Sequence, residues 1–221
     1  MLPFRDRSEA GKFLAWRLTR YKERDDVRVL ALPRGGVPVA FEVSLYLHAP
    51  LDVFVVRKLG VPGYEELAMG AVASGGVRLL QADVLAAFNI SQSIVEETTE
   101  AELQELHRRE QLYRGSRHPP VVRDQTVILV DDGLATGSTM RVAVAALKQQ
   151  KPRHTIVAVP VAAPESCDEL EAEVDEVICA QKPRPFSAVG HFYEHFEQIT
   201  DHEVRELLAR ADQKHLSVRT A

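Results

Sequence analysis

The sequence is poor in cysteine, with Cys167 and Cys179 alone among 221 residues. Two thiols are too few for a disulfide framework or a four-ligand zinc site. Their expected state is reduced and buried. The chain also lacks a basic excess: 27 Lys and Arg stand against 32 Asp and Glu, a net charge of −5. A duplex-binding domain carries a positive footprint, so nucleic acid is not expected as the main partner. No run approaches the roughly 18 consecutive apolar residues of a membrane helix. The stretch Met1–Phe13 is charged throughout and has no apolar signal-peptide region. The expectation is a cytoplasmic protein with no membrane partner. There is no G-x-x-x-x-G-K-[ST] sequence, which argues against a P-loop kinase, and no G-x-S-x-G nucleophile turn. Repeats, low-complexity tracts and obvious linkers are absent too, so one core over residues 1–221 is expected.

What is present is an alternation of β-branched apolar runs with amphipathic segments. That pattern predicts a parallel sheet covered by helices. The expected strands are Val27–Leu32, Val53–Arg57, Val127–Val130, Thr155–Val161 and Glu176–Cys179. Gly70–Ala73 and Val77–Leu80, flanking Ser74-Gly75-Gly76, read as a hairpin. Helices are expected over Ser8–Arg20 with Ser8 as N-cap, Val37–Leu47, Ser91–Tyr113, Ser138–Gln149, Pro164–Glu173 and Asp201–Ala211. The charges of Ser91–Tyr113 read as a solvated face, with Glu105 and Arg109 as an i,i+4 pair. The last ten residues read as frayed. The fold class is therefore α/β: an open, mostly parallel sheet of about five strands with helices on both faces.

One segment concentrates the chemistry. Val127–Val130 runs into Asp131-Asp132, then into Gly133-Leu134-Ala135-Thr136-Gly137-Ser138-Thr139, which opens a helix. In open α/β sheets ligands bind at the carboxyl ends of strands, where this segment falls. Small residues at Gly133, Ala135 and Gly137 let backbone N–H groups approach an anion. The helix N-terminus adds unsatisfied donors, and Thr136, Ser138 and Thr139 add hydroxyls. Together they form a cradle for a phosphate monoester. Two carboxylates would repel that phosphate, so they must face something else, such as sugar hydroxyls or hydrated Mg²⁺. A sugar 5′-phosphate satisfies both halves.

Val127–Thr139 resembles the motif that binds 5-phosphoribosyl-1-pyrophosphate (PRPP) in type I phosphoribosyltransferases. The resemblance implies that Asp131 and Asp132 contact the ribose 2′- and 3′-hydroxyls and that Ala135–Thr139 bind the 5′-phosphate. It also implies Mg²⁺ as cofactor, with Asp131 and Asp132 its protein ligands, in part through water. Leu32–Pro38 resembles the family's pyrophosphate loop, in which Gly35 and Gly36 permit unusual backbone angles and Arg34 offers a planar fork. Arg57 and Lys58, read as ending a strand, suit the pyrophosphate leaving group. The catalytic set is then Arg34, Lys58, Asp131 and Asp132. Leu59–Leu67, rich in Gly and Pro, reads as a mobile loop that closes over the site.

Residues 57–76 look like those of a bacterial group of predicted phosphoribosyltransferases with unassigned substrate. Ala188–Phe196 is similar to the C-terminal hood of purine-type members, where Phe192 or Tyr193 would stack on the acceptor. This implies a small hood built from the N-terminal residues and about residues 180–200. His191 and His195 are spaced to share a helix face, without an evident third metal ligand. Ala135 stands where hypoxanthine/guanine-type members carry Asp and resembles adenine-type members instead. The implied reaction transfers 5-phosphoribosyl from PRPP to a nucleobase-like acceptor, with a homodimer possible for this family. A PRPP- or nucleotide-binding regulator on the same fold is the alternative, and no DNA-binding module accompanies the chain to favour it.

Overall fold

The computed structural model describes residues 3–115 and 117–219. Its strands are β1 (Val27–Ala31), β2 (Leu51–Val53), β3 (Val56–Val61), β4 (Tyr64–Ala73), β5 (Val77–Leu80), β6 (Thr126–Val130), β7 (His154–Val161) and β8 (Glu176–Gln181). The helices are α1 (Arg7–Arg17), α2 (Gly36–Leu47), α3 (Ala82–Ala87), α4 (Gln92–Arg114), α5 (Ser138–Gln149), α6 (Pro164–Glu171) and α7 (Asp201–Arg219). Five strands form a sheet in the order β2-β1-β6-β7-β8, all pairings parallel. The remaining three form an antiparallel sheet, β3-β4-β5.

Alternation along the central strands explains why they read as continuous apolar runs. Val27, Val29 and Ala31 join one core with α1, α2, α4 and α7. Leu30, on the opposite face, joins a second core with α5 and α6. Both faces are covered, so neither set of positions can be polar. The strand order reverses between β1 and β6. Ala31 pairs with Val130, which brings the loops after both strands to one level at that switch point.

The expected strand Val53–Arg57 does not exist as one element. β2 ends at Val53, Phe54 and Val55 cross between sheets, and β3 begins at Val56. The Phe54 amide still donates to Ala31 in the main sheet (2.9 Å), while the Val55 amide donates to the Ser74 hydroxyl of the second (2.9 Å). A continuous apolar run conceals such a change of partner, because both sheets bury it. The expected loop Leu59–Leu67 is instead the β3–β4 hairpin, turning at Pro62-Gly63, where Gly63 has φ +79°. The Gly70–Ala73/Val77–Leu80 hairpin forms as expected, with Ala73 opposite Val77.

Other boundaries differ for local reasons. Asp6, not Ser8, caps α1, accepting the Glu9 amide at 2.8 Å. Ser8 instead donates to Glu42 on α2 (2.6 Å). Ser91 caps α4 and Glu105 pairs with Arg109 (2.8 Å), but α4 is not merely a solvated face. Its last residue, Arg114, is buried against Asp52 and Glu110. α7 runs on to Arg219, through residues read as frayed. The cysteines are buried, but they are joined as a Cys167–Cys179 disulfide. The chain leaving α6 re-enters the sheet as β8 beneath that helix, which brings the two thiols together. No helix among the described residues is long and apolar enough to cross a membrane.

Beyond β8, Phe4 and Tyr193 bridge in parallel, with the Phe4 amide donating to Phe192 and the Glu194 amide to Phe4. The N-terminal segment and residues 186–196 thus make one small aromatic hood. His191 lies in a short 3₁₀ turn, Val189–Phe192, and His195 lies beyond it, so the two share no helix face. No cluster of three or more metal-ligating side chains occurs among the described residues.

Candidate active site

Asp131 and Asp132 leave β6 at the switch point and are nearly enclosed. Burial, and then repulsion from Asp132, raise the Asp131 carboxyl well above the usual carboxylate range. Burial also raises Asp132, against the opposing pull of Arg7. A partly buried, desolvated acidic pair of this kind marks a functional site, because a fold gains nothing by desolvating like charges.

The following loop is fixed at its edges. Leu134 bridges to Ala162 just past β7: its amide donates to Val161, and the Ala163 amide donates to the Leu134 carbonyl (2.9 Å each). Ser166 on α6 donates to the Ala135 carbonyl at 2.5 Å. Gly137 sits at φ +67°, the left-handed conformation that favours glycine, and turns the chain into α5. Thr136, Gly137, Ser138 and Thr139 therefore surround the N-terminus of a twelve-residue helix whose first-turn amides are available to an anion.

The Leu32–Pro38 loop, containing a cis Pro33–Arg34 bond, lies beside the acids. Its glycines are required by proximity rather than by unusual angles: Gly35 has helical φ −58° and ψ −35°. A Cβ on Gly35 would fall 2.1 Å from Asp132 Oδ2, and one on Gly36 would fall 2.7 Å from the Val130 carbonyl oxygen. Gly35→Ala is accordingly expected to displace the Asp132 carboxylate. On the PRPP-binding reading proposed below, PRPP affinity should fall by about tenfold or more, the cost of one misplaced charged hydrogen bond. Calorimetric titration checks this. Arg34, within this loop, is half-exposed and 3.9 Å from Asp201 at the start of α7.

Arg57 and Lys58 separate. Adjacent residues on a strand point to opposite faces. Arg57 is instead engaged by Glu102 of α4 (2.6 Å), and the structure does not bring it to the acids or to the Thr136–Thr139 turn. Lys58 donates to Ser138 Oγ (3.0 Å), placing its ammonium at the start of α5 rather than at the Leu32–Pro38 loop. A cavity of about 510 Å³ adjoins this contact, walled by Ala68, Ala71 and Leu79 of the second sheet and Val142 and Ala145 of α5.

The hood aromatics also divide. Tyr193 is buried, stacked on Phe196 (5.0 Å), and donates its hydroxyl to the Asp132 carbonyl at 2.6 Å. Burial, and then Asp132, raise its phenol strongly. Its ring is occupied by the protein itself and does not suit an acceptor stack. Phe192 is only partly buried and stacks on Phe186 (5.2 Å).

Two residues escaped sequence reasoning. Ser166 lies 31 residues from Ala135, and nothing local distinguishes it. Arg7, the first residue of α1, donates Nε to Asp132 Oδ2 (2.8 Å) and Nη1 to the Glu197 carbonyl (2.9 Å) across 125 and 190 residues. Only the folded hood brings these together.

A switch-point crevice holding a buried acidic pair, a hydroxyl-lined helix N-terminus and a close-packed Gly-Gly loop defines an α/β domain of the phosphoribosyltransferase kind. The chain belongs to that family: the phosphoribosyl transferase domain matches it over residues 6–192. Two Mycobacterium tuberculosis proteins, from strains H37Rv and CDC 1551, are 41% identical over 208 residues, covering 94% of this chain and 47% of theirs. Both are provisionally named phosphoribosyl transferases. The chain thus spans about half the length of the curated relatives it matches. The crystal structure of TT1426 from Thermus thermophilus is similar at 41% identity and TM-score 0.83, covering 95% of this chain and 99% of that one.

Proposed function

We propose that this domain binds PRPP at the β1–β6 switch point and transfers its 5-phosphoribosyl group to a nucleobase-like acceptor, releasing pyrophosphate. The observation that carries the reading is the placement of the Asp131-Asp132 pair between the Gly35-Gly36 loop and the Thr136–Thr139 helix start. Only a ligand with an anion at each end and hydroxyls between them uses all three. In the reaction, the bond from C1 of ribose to the pyrophosphate oxygen breaks and a bond from C1 to an acceptor nitrogen forms. The electron pair leaves with pyrophosphate. The transition state gains oxocarbenium character, so the protein's work is positioning and charge stabilisation.

In this reading Asp131 and Asp132 accept from the ribose 2′- and 3′-hydroxyls. The amides and hydroxyls of Gly133–Thr139 hold the 5′-phosphate, and Gly35, Gly36 and Arg34 receive the pyrophosphate. Two adjacent hard-oxygen carboxylates suit Mg²⁺, which keeps several waters and takes further oxygens from a phosphorylated substrate. Asp131 and Asp132 would hold it, and it would neutralise pyrophosphate charge. Of Phe192 and Tyr193, Phe192 is the acceptor-side candidate. The test is calorimetric titration of PRPP with Mg²⁺, followed by a pyrophosphate-release screen across nucleobases. Base-dependent release is expected. PRPP binding without release from any base would overturn the transferase reading in favour of a regulator.

The Lys58–Ser138 contact supports reading Lys58 as a 5′-phosphate residue rather than a leaving-group residue. Lys58→Ala is therefore expected to weaken ribose 5-phosphate and PRPP alike, each by about tenfold, typical of one charged phosphate contact. A loss confined to PRPP would return Lys58 to the pyrophosphate.

A further inference from the structure

We propose that Arg7 is a positioning residue for Asp132, and that through it the hood takes part in ribose recognition. The proposal rests on the reading of Asp131 and Asp132 as ribose-binding acids. Arg7 occupies the first turn of α1, where a cation opposes the helix dipole. Its side chain is only 9% exposed, and arginine is seldom so buried without dedicated partners. Local helix chemistry therefore disfavours this residue, and what it reaches must account for its placement.

Its guanidinium is fixed in three ways. Nε donates to Asp132 Oδ2, Nη1 donates to the Glu197 carbonyl, and the plane lies 3.9 Å from the centroid of the Phe196 ring. A planar fork can satisfy these together, which a lysine ammonium cannot. Tyr193, stacked on the same Phe196, donates to the main-chain carbonyl of the same Asp132. The hood thus holds Asp132 by its backbone directly and by its carboxylate through Arg7. Gly35 closes on that same Oδ2 from the other side. One carboxylate oxygen is thereby committed, which sets the carboxylate plane and presents Oδ1 for a hydroxyl. Without Arg7, that oxygen loses its fixed donor and the Asp132 carboxylate is no longer held in one plane.

The test uses ribose 5-phosphate and 2-deoxyribose 5-phosphate as probes, which need no acceptor and differ only in the C2 hydroxyl, the one the proposal gives to Asp132. The wild type is expected to prefer the ribose form by about tenfold, the worth of one hydrogen bond to a charged acceptor. Arg7→Gln should weaken the ribose form and leave the deoxy form nearly unchanged, bringing the preference to about twofold or less. Arg7→Lys, which keeps the charge but not the fork, should fall between. A purely structural role would weaken both probes equally, and that result, or an undiminished preference, overturns the proposal. Should Arg7→Gln fail to fold, the preference of Arg7→Lys decides it, and a wild-type value there overturns it. A wild type without any preference would instead overturn the ribose reading of the acids, and Arg7's role with it.

Discussion

Asp131→Asn/Asp132→Asn is expected to lose PRPP affinity by about a hundredfold to ten-thousandfold. Each acid, as a charged acceptor to a ribose hydroxyl, is worth about 1.5–3 kcal/mol, and each 1.4 kcal/mol is about a factor of ten in affinity. Effects on stability should separate the two positions. Asp131 is partly buried beside another carboxylate, and desolvation raises its carboxyl although it accepts the Asp132 amide, so its ionisation is costly in the folded protein. Asp131→Asn removes that cost, and at neutral pH the melting temperature should hold or rise while binding is lost. Asp132 has a partner: Asp132→Asn leaves Arg7 buried without its counter-charge and should lower the melting temperature. A folded double mutant that binds PRPP as the wild type does would remove the central functional claim.

That contrast shows what can be read in the chain and what cannot. The acids, the phosphate loop and their place at a strand end are contiguous, so local residue order carries them. The five-strand sheet is equally legible, since runs such as Val127–Val130 are apolar on both faces because both faces are covered. The Ser138–Gln149 helix has the bounds expected of it, opened by a glycine turn and closed before Lys151-Pro152. Illegible features depend on distant partners. Nothing around Val53–Arg57 signals that the chain changes sheets, and the consequence is large: Arg57 turns to Glu102 and Lys58 to Ser138. Tyr193 reads as a base-stacking aromatic until Phe4 and Phe196 are seen to enclose its ring. Composition alone misleads about the cysteines, because twelve residues of separation do not show that α6 lies over β8.

Arg114→Met is expected to destabilise the fold by about 3–5 kcal/mol, because it leaves buried carboxylates without a counter-charge. For a chain of this size that corresponds to a drop in melting temperature of about 6–20 °C, measurable by thermal denaturation. The Arg114 side chain is 5% exposed and makes four bonds: Nε to both Asp52 oxygens (2.9 and 3.1 Å), Nη1 to Glu110 (2.8 Å) and Nη2 to the Val53 carbonyl (2.8 Å). Glu110 also accepts from Ser74 (2.6 Å), whose hydroxyl receives the Val55 amide. Burial raises the Asp52 carboxyl even against the pull of Arg114, so the network is not an obvious source of net stability. Arg114→Met/Asp52→Asn should therefore recover part of the loss, and an unchanged melting temperature in Arg114→Met would show that the charges are not buried in solution. The network's value lies in where it sits. It joins the end of β2, the Val55 crossing, the β4–β5 turn and the end of α4, the points that fix the second sheet against the first. Lys58 rides on that second sheet, and Ser138 belongs to the first sheet's phosphate loop. Ser74→Ala breaks the link without orphaning a guanidinium. It should weaken ribose 5-phosphate binding in calorimetric titration by loosening the placement of Lys58, alongside a stability loss of about 1–3 kcal/mol from the Val55 amide it leaves without an acceptor.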